Sequence, residues 1–390
     1  MDKSNYSQLD WPRFDKVRYQ PWGLEDNQPS DFTAEKPYFK HEESLGIEVA
    51  GSSTPFIKVP KDLQEAGLVV ENLVEAKQKH PDLVASVLGK VVAPDADRLS
   101  AQNYWENQTG ILLYVPAGLT IEPVIELSLD HLSDKDQIAR ILVLAGQDSE
   151  FKIMQHLRSV GEEKSKLSLV VEVLTQRGAK VTYANLDSLN QGTQSFINRQ
   201  AQVGNDSRVD WVNAAFNNGN TISRLSTNLI GNGSASQSDV AAFTNRKQVA
   251  GFVTEIENLG RHTVGHIFQR GIILNSSALV FNGIGRIIKG AKGSDAQQES
   301  RVLMLSKRGR GEANPLLLID ENDVTAGHAA SVGRVDADQL YYLMSRGLPE
   351  RVARKLVIRG FVGEILTKLP TASAQEALIE LIEEKLSYEK

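Results

Sequence analysis

The stretch TAGHAASVGR at 325–334 sets one histidine, His328, among Ala326, Gly327, Ala329 and Ala330. Side chains this small leave room around an imidazole. His328 is therefore either packing filler or a reachable ligand or base. Asp320, Glu321 and Asp323 crowd the segment just before it. They read either as a solvated turn or as carboxylates around a metal-binding histidine. His262 and His266 have the i, i+4 spacing of a helical zinc pair. Thr263, Val264 and Gly265 between them favour strand instead. In a strand the two rings start about 13 Å apart, too far for ligands bonding one metal at about 2 Å.

Other chemistries fail on missing residues. The chain has no cysteine, which excludes disulfides, a thiolate nucleophile, a cysteine zinc site and a self-contained cysteine-ligated cluster. No GxxxxGK[ST] stretch occurs, so the chain carries no P-loop. Gly283-Ile284-Gly285 is followed three residues later by Ile288, where the dinucleotide fingerprint needs glycine. There is no GxSxG nucleophile elbow either. If nucleotide hydrolysis powers this protein's work, a partner must supply it. In the tail, Arg346, Arg351, Arg354, Lys355 and Arg359 cluster. They form either a solvated face or a docking face for an acidic protein partner. The net charge of −6 and the lack of interleaved aromatics argue against nucleic acid.

Three regions must position these residues. The composition is that of an ordinary globular protein, 41% hydrophobic and 24% charged. The polar start MDKSNYSQLD lacks an apolar signal core. Apolar runs such as ILVLAG at 141–146 fall far short of the roughly 20 residues of a membrane helix. A cytoplasmic protein without membrane association is expected. Residues 1–108 read as mainly helical. A helix is predicted over 61–79 from Leu63, Val70, Leu73 and Val74, and a second from Pro81 at its first turn. The aromatic and basic stretch WPRFDKVRYQPWGL at 11–24 reads as an extended arm packed on a domain.

Residues 109–334 read as β. Short runs such as LSLVVEVL, VDWVNAAF, VGHIFQRGIIL and PLLLI recur, separated by GNDS at 204–207, NNGN at 217–220, GNGS at 231–234 and NSS at 275–277. The gaps leave little room for crossover helices, so a doubly wound sheet is not expected. A sandwich or a parallel β-helix remains. The number of runs and the Asn, Gly and Ser corners favour the β-helix, although no strict repeat motif is visible. Residues 335–390 return to helical spacing. Asp336 and Gln339 form a capping box, Gly347 ends that helix, and Pro349 with Glu350 opens the next. Gly360 and Gly363 predict a bend or break. Ser373 and Glu376 predict the cap of a last helix with Leu378, Ile379, Ile382 and Leu386 on one face.

The segment 278–347 resembles the SufB/SufD family of SUF iron–sulfur cluster assembly proteins. The matching pieces are FNG at 281–283, GA at 290–291, SDAQQ at 294–298, VLML at 302–305, NPLLLI at 314–319, NDV at 322–324, GHAASVGR and QLYYLMSRG at 339–347. VPAG at 115–118 extends the likeness more weakly, and the aromatic, basic N-terminal stretch looks SufD-like. Family sequences often carry a cysteine two residues before this histidine, where Ala326 stands here. With no cysteine anywhere, the chain is similar to the SufD branch. Leu318 also replaces a carboxylate of the family's Pro-x-Leu-Glu-Ile pattern, which puts a role for that acid in doubt.

The resemblance implies a mainly β fold, a right-handed parallel β-helix flanked by N-terminal and C-terminal helical regions. It implies a SufD-like subunit of a SufB–SufC–SufD complex that supports cluster assembly and iron acquisition and is not itself an enzyme. The implied partners are a SufB-like paralogue, paired through the β-helices, and a SufC-like ABC ATPase. The ATPase would dock on the C-terminal helices around Tyr342, Met344, Ser345, Arg346, Gly347, Arg351, Arg354 and Phe361. His328 would then hold iron, or a transient cluster shared with the partner, with no cofactor held alone. The alternative from fold class alone is a β-helix enzyme acting on polysaccharide, and a third reading is a structural homodimer of the isolated chain.

Overall fold

The computed structural model describes residues 3–28, 45–50 and 54–387. From Thr109 to Arg334 the chain runs as strands that alternate between two sheets, so every second strand pairs in parallel. The result is a parallel β-solenoid of about eight turns. One sheet ends at the strand Thr325–Arg334 and the other at Arg310–Ile319. The turn length is not constant. Register partners one turn apart are 26 positions apart at Ser195 and Thr221, but 32 apart at Ala278 and Arg310. That drift hides the repeat from a fixed-period reading.

The repeat survives in one corner. Gly118, Asp148, Gly178, Asp206, Gly233, His262 and Gly293 all have positive φ. Each amide donates to a carbonyl on the next turn, at Gln147, Arg177, Asn205, Asn232, Arg261, Lys292 and Asp323 respectively. Glycine enters this left-handed region freely and aspartate tolerates it, which explains the corner composition.

Inward side chains of both sheets form the main core, including Ile141, Val171, Trp211 and Phe281. The indole of Trp211 is fully buried and donates to Thr227 Oγ1 at 3.0 Å, so its one polar atom is satisfied. The outer faces are covered by the chain's two ends. The arm at 11–24 lays Phe14, Val17, Tyr19 and Leu24 on Phe196, Ile222 and Val253, as expected of a packed arm. Four N-terminal helices follow among the described residues: α1 (Lys61–Glu65), α2 (Leu73–Lys79), α3 (Pro81–Val87) and α4 (Arg98–Glu106). Fully buried Arg140 and Glu172 hold this layer down. Arg140 donates to Glu172 Oε1 from Nε and Nη2 at 2.9 and 2.7 Å, and to Asn103 of α4. Glu172 accepts from the amides of Gly89, Val91 and Val92. All three guanidinium nitrogens and both carboxylate oxygens are thus engaged, the condition under which a buried ion pair is tolerated.

Three tail helices, α5 (Ala337–Ser345), α6 (Glu350–Lys368) and α7 (Ala372–Ser387), follow the last strand. Ile358, Val362 and Ile365 of α6 and Leu378, Ile382 and Leu386 of α7 pack on Leu186, Val212 and Phe243 of the other outer sheet face.

The structure corrects several expectations. The predicted helix over 61–79 is broken at Gly67, φ +91°, and Val69–Asn72 becomes a strand antiparallel to Thr109–Val115. Gly46–Ala50 likewise joins a sheet, parallel to Ile125–Leu132. Part of the N-terminal region therefore belongs to the solenoid's sheets. α6 runs unbroken through Gly360 and Gly363, because its buried face continues on both sides of them. α7 begins at Ala372, and Thr371 Oγ1, not Ser373, accepts from the amide of Ala374 at 3.3 Å. Asp336 caps α5 as expected, accepting from the amide of Asp338 at 2.8 Å.

Candidate functional site

The far end of the solenoid is open. The strands Thr325–Arg334 and Arg310–Ile319 each have a sheet neighbour on one side only. His328 lies on the first of these, exposed, opposite Gln298 in the parallel register. Alternation puts Ala326, His328, Ala330 and Val332 on the side that faces the solenoid interior one turn below, where Ala296 and Val302 are buried. His328 is thus an inward position that is exposed because no further turn covers it. Among the described residues its ring has no hydrogen-bond partner. The small neighbours that drew attention to it leave its approach clear. Leu316, Ile319 and Val332 add exposed apolar side chains to the same end.

The acids before His328 belong to the corner. Glu321 is buried; Gly290 and Asn322 amides donate to it, each at 2.9 Å. These bonds, with that from Gly290 foremost, hold its carboxyl below the usual carboxylate range. Asp323 takes the amide of Gly293 on its backbone carbonyl. Among the described residues no three of His, Cys, Asp and Glu gather as a metal ligand set. His262 and His266 are also separate, as expected. His262 is a corner residue with φ +55°, and His266 Nε2 lies 3.1 Å from Asp295 Oδ2. His131 is structural: its ring nitrogens face Gln137 Oε1 and Ser165 Oγ, and burial pushes its pKa down to about 4.

The interior behind the open end is partly polar. A buried pair, Arg199 and Asp187, lies at 2.8 Å, with Gln155 also accepting from Arg199. Further along, Gln269 donates to Thr254 Oγ1 at 2.9 Å and accepts from Ser300 at 2.7 Å. Nothing in residue spacing signalled this lane, because its members lie on different turns.

A second feature reaches the same end from the N-terminus. Lys16 Nζ donates to Asn314 Oδ1 at 2.7 Å and pairs with Glu312 at 2.8 Å. The backbone of Asp15 accepts from Asn282 Nδ2 at 3.3 Å. The arm therefore braces the last strand of one sheet. Such contacts between distant segments leave no local pattern in sequence.

The tail residues form a different surface. α5 has no buried residue and packs on α6. Tyr342, 57% exposed, and Met344 are both exposed on α5, and the Arg346 guanidinium sits 5.1 Å from the Tyr342 ring centre. Gly347 takes φ +90° as α5 ends, and Ser345 Oγ donates to the Tyr342 carbonyl at 2.8 Å. Val352 and Leu356 extend the exposed apolar face on α6. Arg351 is exposed, Arg354 pairs with Glu350 at 3.0 Å, and Phe361 is half-buried against the packed faces of α6 and α7. The structure thus brings Tyr342 to Gly347 together and sets Phe361 inward from them. No helix among the described residues is long and apolar enough to cross a membrane.

Two family models match the chain. The SUF system FeS cluster assembly SufBD core domain covers residues 129–361, and the SufBD protein N-terminal region covers 47–127. The chain is 35% identical to the iron–sulfur cluster assembly protein SufD of Bacillus subtilis, over 97% of this chain and 91% of that protein. It is 26% identical to a SufBD family protein of Synechocystis, over 81% and 68% of the two chains. A Staphylococcus aureus member of the same family is 23% identical over 83% and 70%. With its core and N-terminal regions both matched, and a SufD relative aligned along nearly its whole length, the chain belongs to the SufBD family of iron–sulfur cluster assembly proteins.

Proposed function

We propose that this chain is the SufD-like half of a cluster-assembly unit and works through its two exposed surfaces without catalysing a reaction itself. The observation that carries the proposal is the open solenoid end, where His328 sits on one of two unpaired strand edges. Unpaired edges carry unsatisfied amides and carbonyls and are a template for another chain. A SufB-like paralogue, itself a solenoid by family, would complete the hydrogen bonding and cover Leu316, Ile319 and Val332. Nascent iron or cluster is then cargo held between the two chains. His328 offers one imidazole nitrogen and the cysteine-bearing partner offers thiolate, a mixed ligation known for iron–sulfur centres.

The exposed face of α5 and α6 is the proposed seat of a SufC-like ABC ATPase, which would supply the nucleotide chemistry this chain lacks. Its movement would be passed to the open end through α6 and α7, which lie against the sheet that ends in Thr325–Arg334.

Hydrogen exchange tests the pairing. Mixing with the SufB-like partner should slow exchange of amides in 310–319 and 325–334, while the corner at 204–207 stays unchanged. Equal rates in the free and mixed chain at 325–334 would reject the end-on arrangement.

A further inference from the structure

The charges of the last turn are sorted by corner. Its cations are Lys307, Arg308, Arg310 and Arg334, all exposed. Lys307 and Arg308 lie in the corner that leads into the strand Arg310–Ile319. Arg334 ends the strand Thr325–Arg334 and is the register partner of Met304, from which the chain enters that same corner. Between Arg310 and Arg334 there is no lysine or arginine. The opposite corner, 320–324, holds Asp320, Glu321 and Asp323 instead. Ten strand residues at about 3.3 Å each set the two corners about 30 Å apart. That exceeds the Debye length of about 8–10 Å near physiological salt, so each corner acts on its own surroundings.

Most of these charges are unspent within the chain. Among the described residues no ion pair uses Lys307, Arg308, Arg334, Asp320 or Asp323. The acids nearest in sequence to the basic corner are committed. Glu312 pairs with Lys16 at 2.8 Å and accepts from Arg310 Nε at 2.7 Å, and Asp336 caps α5. Lys16 also brings one more cation from the arm over the first half of that strand. At the acidic corner Glu321 is turned inward to the amides of Gly290 and Asn322, which leaves Asp320 and Asp323 exposed. Lys292 belongs to the corner one turn below, where Gly293 donates to the Asp323 carbonyl. Both charged corners therefore border the two unpaired strand edges.

We infer that the two corners select the chain that seats on the open end: its docking surface carries carboxylates facing Lys307, Arg308 and Arg310, and cations facing Asp320 and Asp323. This rests on the end-on pairing proposed above, and adds which surface of the SufB-like partner fits and in which direction. Backbone pairing alone cannot discriminate, because an unpaired edge is a template for any strand. The corner charges can. A partner turned end for end would bring like charges together, and so would a chain whose end lacks this polarity. Exposed charges at a rim act chiefly on the rate and orientation of encounter, and salt weakens them.

The test mixes the full chain with the SufB-like partner and follows association by stopped flow over a range of salt. Lys307→Glu with Arg308→Glu should slow association at low salt by about tenfold or more and flatten its salt dependence. Asp320→Lys with Asp323→Lys should do the same. All four side chains are exposed, so both variants should melt at the native temperature. In the native complex, a carbodiimide that joins amines to carboxylates in contact should couple Lys307 to a partner Asp or Glu, and Asp320 or Asp323 to a partner Lys. Peptide mass spectrometry reads those couplings. Native association rates and salt dependence in both variants would overturn the inference. If exchange at 310–319 and 325–334 still slows on mixing in that case, the end-on pairing stands and only the charge selection fails. If exchange there does not slow even for the native chain, both are overturned.

Discussion

Lys385 Nζ donates to the backbone carbonyl of Asn217 at 2.7 Å and to Asn218 Oδ1 at 2.9 Å, with the lysine fully buried. The last helix is thereby tied to a corner of the solenoid, and the Phe243 ring lies 5.8 Å from the same nitrogen. Burial pushes the Lys385 pKa down to about 7 from 10.5, against a smaller opposing pull from Glu384 and a push in the same direction from Arg246.

A pH dependence follows from that lysine. Below about pH 7 both the folded and unfolded chains carry the proton, and the cost of burying the charge is fully present. Between about 7 and 10.5 the unfolded chain binds more protons, so this group's contribution makes stability rise with pH. The denaturation free energy of the native chain minus that of Lys385→Met should grow from pH 7 to pH 10. Parallel curves for the two proteins would contradict the assignment.

Glu172 predicts a large local effect. Its carboxylate satisfies Arg140 and the amides of Gly89, Val91 and Val92. Glu172→Ala leaves a buried guanidinium uncompensated and should cost about 3–5 kcal/mol. Hydrogen exchange should quicken first at 89–92 and α4. Loss below about 1 kcal/mol, or uniform loss of protection across the solenoid, would show that the pair does not hold the N-terminal layer.

The corner ladder predicts a coupling. Gly293 has φ +74°, and a Cβ there would lie 2.3 Å from His262 Nδ1. Gly293→Ala should destabilise by about 1–2 kcal/mol from backbone strain alone, with the ring clash added. His262→Ala should recover the clash but not the strain, giving a non-additive double mutant. Additive effects would mean that the ring moves aside freely.

The exposed face of α5 separates binding from folding. Tyr342→Ala with Met344→Ala removes side chains that are not part of any core. The melting temperature should stay within about 1–2 °C, since such surface changes stay within about 0.5 kcal/mol. Capture of a SufC-like ATPase should fall at least tenfold. Unchanged capture, or capture by a chain ending at 334, would place the ATPase elsewhere.

The strands were legible because each turn repeats branched residues between polar corners, as LSLVVEVL and VGHIFQRGIIL do. The solenoid's repeat was not, because it resides in one backbone conformation occupied in turn by Gly, Asp and His. His262 and His266 have the spacing of a metal pair, but the strand formers between them already argued against one, and the ladder sets His262 in a corner. Glycine propensity misjudged α6, where the burial of Ile358, Val362 and Ile365 outweighs Gly360 and Gly363. His328 stood out through its small neighbours, yet its place at an open end depends on how many turns precede it. Gln298 was visible within SDAQQ, but the Leu316 carbonyl to which its amide donates lies on the other sheet. Contacts across the interior follow from turn length, which varies, so sequence separation could not reveal them.

The most direct measurement of the central claim is cluster reconstitution with the SufB-like and SufC-like partners, comparing the native chain with His328→Ala. The complex should assemble normally with the variant, while iron content and cluster yield fall roughly tenfold or more, the scale at which disturbing a metal's ligand environment is felt. Full yield and unchanged iron content in an intact complex would contradict a ligand role for His328.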